Sequence, residues 1–180
     1  GLGILRGLIR RSGTVIWVEA GAQRTSRKLS AEREVLLEVC DVLAPCTHRS
    51  TCGVLAKEGD WCHFFAKAPA HVFTSAFWRK FSDEMGLDLR SLPYSFIVLK
   101  RRNEQAPPVG GGSRILGRPR MLKGRARLDA CNAEGVRELS LLERTDRSLF
   151  KRLDRSAGEV LLFDVVEEAG RISALRSLVE

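Results

Sequence analysis

Hydrophobic positions along this chain change period several times, and each change predicts a new element. Leu5, Leu8 and Ile9 interleave with Arg6, Arg10 and Arg11 at helical spacing, so residues 2–11 read as the end of an amphipathic helix stopped by Gly13. Thr14-Val15-Ile16-Trp17-Val18 is a continuous apolar run, the mark of a strand buried on both faces of a parallel sheet. It ends in Glu19-Ala20-Gly21, where an open α/β sheet places its ligand crevice. A helix then starts near Thr25 or Ser26, either of which could cap it. Leu29, Arg33, Leu36, Cys40 and Leu43 recur at three- and four-residue spacing, which puts Cys40 on a buried stripe. Residues 69–85 read as another helix, with Val72, Phe73, Ala76, Phe77 and Phe81 on a core-facing side.

The second half begins with a strand over residues 94–99, ending at Lys100-Arg101-Arg102. Residues 103–113, with Pro107-Pro108 and Gly110-Gly111-Gly112, form a flexible linker. Over 125–131 the alternation places Arg125, Arg127 and Asp129 on one face and Ala126, Leu128 and Ala130 on the other. That is a half-buried antiparallel strand with a largely cationic outer face. A turn at 132–135 leads to a returning strand at 136–143, and Asp146 caps a short helix carrying Leu149, Phe150 and Leu153. Residues 160–166 are strand-like, and the last ten residues read as a helix. An apolar strand there needs a sheet to join, so the tail docks on its own domain or a neighbour.

Composition narrows the picture. A length of 180 residues holds one core, or one core with an appendage, and 44% hydrophobic with 29% charged residues is globular. No apolar run approaches the roughly 20 residues a membrane helix needs. Thirty Lys and Arg against 22 Asp and Glu give a net charge of +8, which fits a polyanionic partner. Tyr94 is the single tyrosine, so no broad base-stacking surface is advertised. Gly1-x-Gly3 lacks the preceding strand and third glycine of a dinucleotide loop. A first residue that is glycine fits a removed targeting peptide or part of a longer product.

Five cysteines, an odd count, argue for a reducing compartment and metal ligation over disulfides. Three of them, Cys46, Cys52 and Cys62, fall within 17 residues among turn-forming and polar neighbours, and Cys131 lies far downstream. Zinc and iron–sulfur clusters both prefer thiolates. The gaps are five, nine and 68 residues, without the tight pair usual in zinc ribbons, so the spacing leans toward a cluster. Four unrelated buried cysteines are the plainer alternative. Cys40 reads as core. His48 and His63 stand beside cysteines, placed to hydrogen-bond sulfur or RNA, while His71 receives no role.

The order A-P-C-x-H (44–48), C (52), D-W-C-H-F (60–64), P-Y-S-F-I-V-L-K-R (93–101) and G-R-x-R-L-D-A-C (124–131) resembles one family. It is that of the methyltransferase-like assembly factors of the mitochondrial small ribosomal subunit, with their bacterial relatives. The likeness runs from about residue 15 to about residue 131. It implies that Cys46, Cys52, Cys62 and Cys131 ligate a [4Fe–4S] cluster, zinc being the alternative. Relatives usually follow the second cysteine with proline, where this chain has Gly53. The implied fold is α/β: the C-terminal part of a class I methyltransferase-like (Rossmann-like) fold, with an inserted cysteine-rich segment and an extra α/β tail. Residues 1–43 would end the methyltransferase-like core, 44–66 hold the metal, 67–145 complete core and metal site, and 146–180 extend it.

With residues 15–18 as the fifth strand of such a sheet, the S-adenosylmethionine-binding glycine turn lies outside this chain. A separate chain, or the front of a longer product, would supply it. Two functions follow. One is a noncatalytic rRNA-binding component or assembly factor of the mitochondrial small subunit, in the matrix among mitochondrial ribosomal proteins. The other is half of a split S-adenosylmethionine-dependent rRNA methyltransferase. Lys100, Arg101, Arg102, Arg118, Arg120, Lys123, Arg125 and Arg127 flank the linker and are the candidate rRNA contacts, holding backbone phosphates more than bases. No catalytic residue is assigned.

Overall fold

The computed structural model describes residues 3, 7, 13–102, 111–155, 161–168 and 171–177. The expected helix at 2–11 lies outside them except at Gly3 and Gly7, which are helical, and residues 103–110 of the expected linker also lie outside. The described chain is mixed α/β, with two sheets and several helices.

The first sheet is centred on β4 (Pro93–Arg101), with β1 (Thr14–Ala20) on one side and β2 (Cys40–Ala44) and the short β3 (Phe64–Phe65) on the other. Every pairing to β4 is antiparallel, with Val15 and Val42 both opposite Leu99. Helix α1 (Gln23–Leu36) covers one face, packing Leu29 and Leu36 with Cys40, Val42, Ile97 and Leu99. Gly21 makes the sharp entry to α1 feasible, since a Cβ there would lie 2.6 Å from the Pro93 carbonyl carbon.

Several expectations are corrected here. The β1 run is not buried on both faces of a parallel sheet: its described neighbour is antiparallel, and Ile16 and Val18 are 69% and 58% exposed. Neither Thr25 nor Ser26 caps α1, which starts after Ala22 without a side-chain cap. The Ser26 hydroxyl instead donates to the Cys62 carbonyl. The helical stripe stops at Leu36, so Cys40 is buried from a strand, and Leu43 is exposed. Residues 69–85 form two helices, α2 (Ala70–Thr74) and α3 (Ala76–Met85), broken where Ser75 turns extended. Neither helix buries a residue, and Phe73 and Phe77 stay exposed, so this apolar face is not core.

The second sheet closes on itself. Strands β5 (Ser113–Leu122), β6 (Arg125–Asn132) and β7 (Gly135–Leu142) form a meander, α4 (Arg147–Arg155) follows, and β8 (Leu162–Glu168) and β9 (Arg171–Ser177) complete a barrel in the order β5-β6-β7-β9-β8. The alternation in β6 is as expected, with Ala126, Leu128 and Ala130 buried. Asp146 does cap α4, its carboxylate accepting from the Leu149 N–H at 2.9 Å. Inside lie Ile115, Leu128, Leu139, Leu141, Phe163 and Ile172, with Leu149 and Leu153 of α4 closing the core. Of the expected C-terminal helix, residues 171–177 are strand instead: they pair with β8, and that long-range ladder overrides local preference, while 178–180 lie outside the described residues. The tail thus docks on its own domain.

Candidate metal centre and nucleic-acid surface

Between β2 and β3 the chain contains one regular turn, a 3-10 turn at Gly53–Leu55. Side chains of α1 hold this loop. Arg27 donates to the carbonyls of Val54, Lys57 and Asp60 at 2.7–2.8 Å. Arg33, only 2% exposed, donates from Nε to Cys46 Sγ at 3.2 Å and to the carbonyls of His48 (2.7 Å) and Ser50 (3.1 Å). Its remaining partner is Glu34, whose carboxylate also accepts from the Cys52 N–H at 3.2 Å. Ser95 of β4 donates to the Cys62 carbonyl at 2.7 Å, and Trp61 Nε1 to the Gly21 carbonyl at 3.0 Å.

The barrel supplies the other wall. Cys131, near the end of β6, packs with Cys52, Cys62, Val54, Phe64 and Leu116. Gly53 fits tightly here: a Cβ on it would lie 2.7 Å from Gly135 Cα. Arg114 of β5 donates to the Pro45 carbonyl at 2.8 Å, and Thr47 to the Gly112 carbonyl at 2.9 Å. Gly117, at φ +63°, donates to the His63 carbonyl at 2.8 Å and leaves room for the His63 ring.

Cys46, Cys52 and Cys62 line one narrow cavity of about 30 Å³ with Arg33. Burial pushes the Cys62 thiol far up, and the Cys46, Cys52 and Cys131 sulfurs add to the rise. Cys131 is pushed up to about 12 by burial and by Cys52 and Cys46. Cys46 rises less, burial being opposed by Arg33 and Arg114. Cys62 thus senses the other three sulfurs, and Cys40 is apart from them in the hydrophobic core under α1. Among the described residues, no three His, Cys, Asp or Glu side chains are grouped so as to hold a metal ion.

The two histidines differ. His48 is buried with Nε2 3.7 Å from Cys131 Sγ; burial and Arg33 lower its pKa. Its Nδ1 has no partner of full hydrogen-bond geometry. His63 stacks on Trp61 at 4.7 Å, its Nδ1 3.2 Å from the Trp61 carbonyl oxygen.

The candidate rRNA contacts separate into two groups. Lys100, Arg101 and Arg102 are exposed at the end of β4, and the rest lie on or beside the β5–β6 hairpin. Arg118 covers the Phe65 ring at 4.1 Å. Arg120 pairs with Glu138 and lies 3.7 Å from Asp129, while Arg127 lies 3.5 Å from Glu138. Lys123 and Arg125 sit exposed at the hairpin tip. Arg27 and Arg114 were missed as loop-holding groups by sequence reasoning, and Arg33 was read only as part of a stripe. An arginine on an otherwise apolar helical stripe was the available signal.

A family model described as mitochondrial small ribosomal subunit Rsm22 matches residues 4–158. No curated protein matches the chain.

Proposed function

The chain belongs to the Rsm22 family of the mitochondrial small ribosomal subunit, and on that premise we propose that it is a noncatalytic, rRNA-binding component or assembly factor of that subunit. Association with the small subunit, and hence a mitochondrial setting, comes with the family; the matrix is where that subunit's rRNA would be met. No helix among the described residues is long and apolar enough to cross a membrane.

The observation that carries the role is the convergence of Cys46, Cys52 and Cys62, from one loop, with Cys131 from the barrel. Such a set staples two parts of a chain together. Its chemistry fits a [4Fe–4S] cluster. Burial holds Cys46, Cys62 and Cys131 as neutral thiols, and the positive charge of a metal core taking the place of their protons would offset the cost of the thiolates. Arg33 and Arg114 supply positive charge beside them. A single zinc at about 2.3 Å from each thiolate draws its sulfurs to within about 3.8 Å of one another, whereas a cluster, with irons between, takes a wider set. The loop has little backbone ladder of its own and can widen around a core larger than the present cavity. Cys46, Cys52, Cys62 and Cys131 would hold the cluster, whose contribution is structural.

The β1-β4-β2 order, with β4 antiparallel to both neighbours, is that of the last three strands of a class I methyltransferase sheet, which supports the methyltransferase-like reading. A second reading is half of an S-adenosylmethionine-dependent rRNA methyltransferase completed by another chain. In its favour, β1 pairs only with β4 among the described residues and leaves Ile16 and Val18 exposed, an edge suited to further strands.

Sedimentation of mitochondrial extract tests the proposal. The chain is expected to travel with small-subunit particles, and particles isolated through it are expected to transfer no methyl group from S-adenosylmethionine to rRNA. Methyl transfer lost on removing this chain would favour the second reading; absence from small-subunit fractions would overturn both.

A further inference from the structure

Counted from its own first strand, the barrel has the order 1-2-3-5-4, closed back to strand 1. Helix α4 lies between its third and fourth strands, and the third and fifth run parallel through Ser140 and Arg171. That is the arrangement of the oligonucleotide- and oligosaccharide-binding barrel, whose ligands lie on strands two and three and against the 1–2 and 4–5 loops. The family match stops at residue 158, before the last two strands.

A fold assigns no ligand by itself, but the surface beside the β5–β6 turn and the start of β9 has a definite chemistry. An open cleft of about 680 Å³ lies there, lined by Gly124 and Arg125 of the β5–β6 turn, Glu143, Arg144 and Arg147 leading into α4, and Arg171 at the start of β9. Glu143 offsets Arg147 at 3.5 Å. Among the described residues, Arg125, Arg144 and Arg171 are exposed and make no ion pair. Lys123 adds a fifth cation at the hairpin tip, so among the described residues five cations stand beside one acid, Glu143. The N-terminus of α4 is already capped by Asp146, which leaves anion binding to the arginines.

We propose that this cleft binds a single-stranded stretch of RNA through its phosphates. The arginines converge on one cleft, whereas duplex recognition spreads contacts across two successive minor grooves. Among the described residues no aromatic side chain lines the cleft, so bases find no stacking platform there and binding should be tolerant of sequence. A neutral sugar would leave the arginines without counter-charge. The inference rests on the RNA-binding reading above and gives it a place and a strandedness; Arg144, Arg147 and Arg171 stand outside the eight cations considered from sequence.

The test is titration of the full chain with a short polyuridine strand and with an RNA duplex of equal length, at two salt concentrations. The triple variant Arg144→Gln/Arg147→Gln/Arg171→Gln is expected to bind the single strand at least about tenfold more weakly, with its log–log salt slope reduced by about 2, and to bind duplex nearly unchanged. Glu143→Gln is expected to tighten single-strand binding, a gain that misfolding cannot mimic. Unchanged single-strand affinity in the triple variant, with the unsubstituted chain binding RNA, overturns the cleft alone. Equal loss on strand and duplex overturns the single-strand assignment and leaves a general polyanion surface. A chain that binds neither polyuridine nor small-subunit rRNA contradicts the RNA-binding reading itself.

Discussion

In the barrel, Ile115, Leu128, Leu139, Leu141, Phe163 and Ile172 fill the interior of a closed hydrogen-bonded ladder. In the cysteine loop, one 3-10 turn is regular, and the backbone is pinned by Arg27, Arg33, Ser26 and Ser95 reaching its carbonyls. One region is ordered by apolar burial and backbone pairing, the other by side-chain donors around four thiols. Apolar burial in this loop is limited to Cys52 and Val54 against Phe64 and Leu116, so on the proposed reading its order depends on what those thiols bind. The barrel does not share that dependence, except through Cys131.

Cys131 is therefore the position where the contrast breaks hardest. Through the cluster it would close a chain loop with 68 residues between it and Cys62, a cross-link worth on the order of 4 kcal/mol by analogy with a disulfide. Cys131→Ser is expected to lose most of the iron and to expose the 45–63 loop to proteolysis. Cys40→Ser, a hydroxyl in an apolar core, should keep its iron and cost about 1–3 kcal/mol in a denaturant melt. Equal iron loss in both variants would erase the distinction between ligand and core cysteine.

Two further substitutions sharpen the comparison from opposite sides. Leu128→Ala, at the centre of the barrel, should destabilise by about 3 kcal/mol yet leave the iron content of the folded protein unchanged. Arg33→Met strands Glu34 and the carbonyls of His48 and Ser50, and should cost about 3 kcal/mol while lowering iron content as well. Chemical denaturation combined with iron analysis separates the two.

How far the sequence spoke differs in the same way. Strict alternation made β6 legible, because period-2 burial is a local signal, and Asp146 announced α4 for the same reason. The ninth strand was illegible, since residues 171–177 become strand only by pairing with β8 and closing the barrel. The aromatic run at 69–85 read as core because periodicity reports which residues share a face and not whether anything covers it. In the cysteine lobe the four thiols stood out as a set, but that Arg33 and Arg114 hold the loop depends on contacts between distant elements.

The smallest effect concerns the hairpin surface. Replacing Arg118, Arg120, Lys123 and Arg125 together with glutamine should weaken association with small-subunit rRNA and flatten its salt dependence. Arg120 is already paired with Glu138, so the slope should fall by about 2 to 3 rather than by the full four contacts. An unchanged slope in a folded, metallated variant would make this a solvated face.

In the proposed reading one centre, held by Cys46, Cys52, Cys62 and Cys131, orders the cysteine lobe. Its most direct test is the iron and acid-labile sulfide content of the anaerobically purified chain. About four of each per chain are expected, as a [4Fe–4S] core requires, falling together when any of these four cysteines is replaced by serine and holding in Cys40→Ser. Stoichiometric zinc without sulfide, or iron retained in the Cys131→Ser variant, would contradict the account.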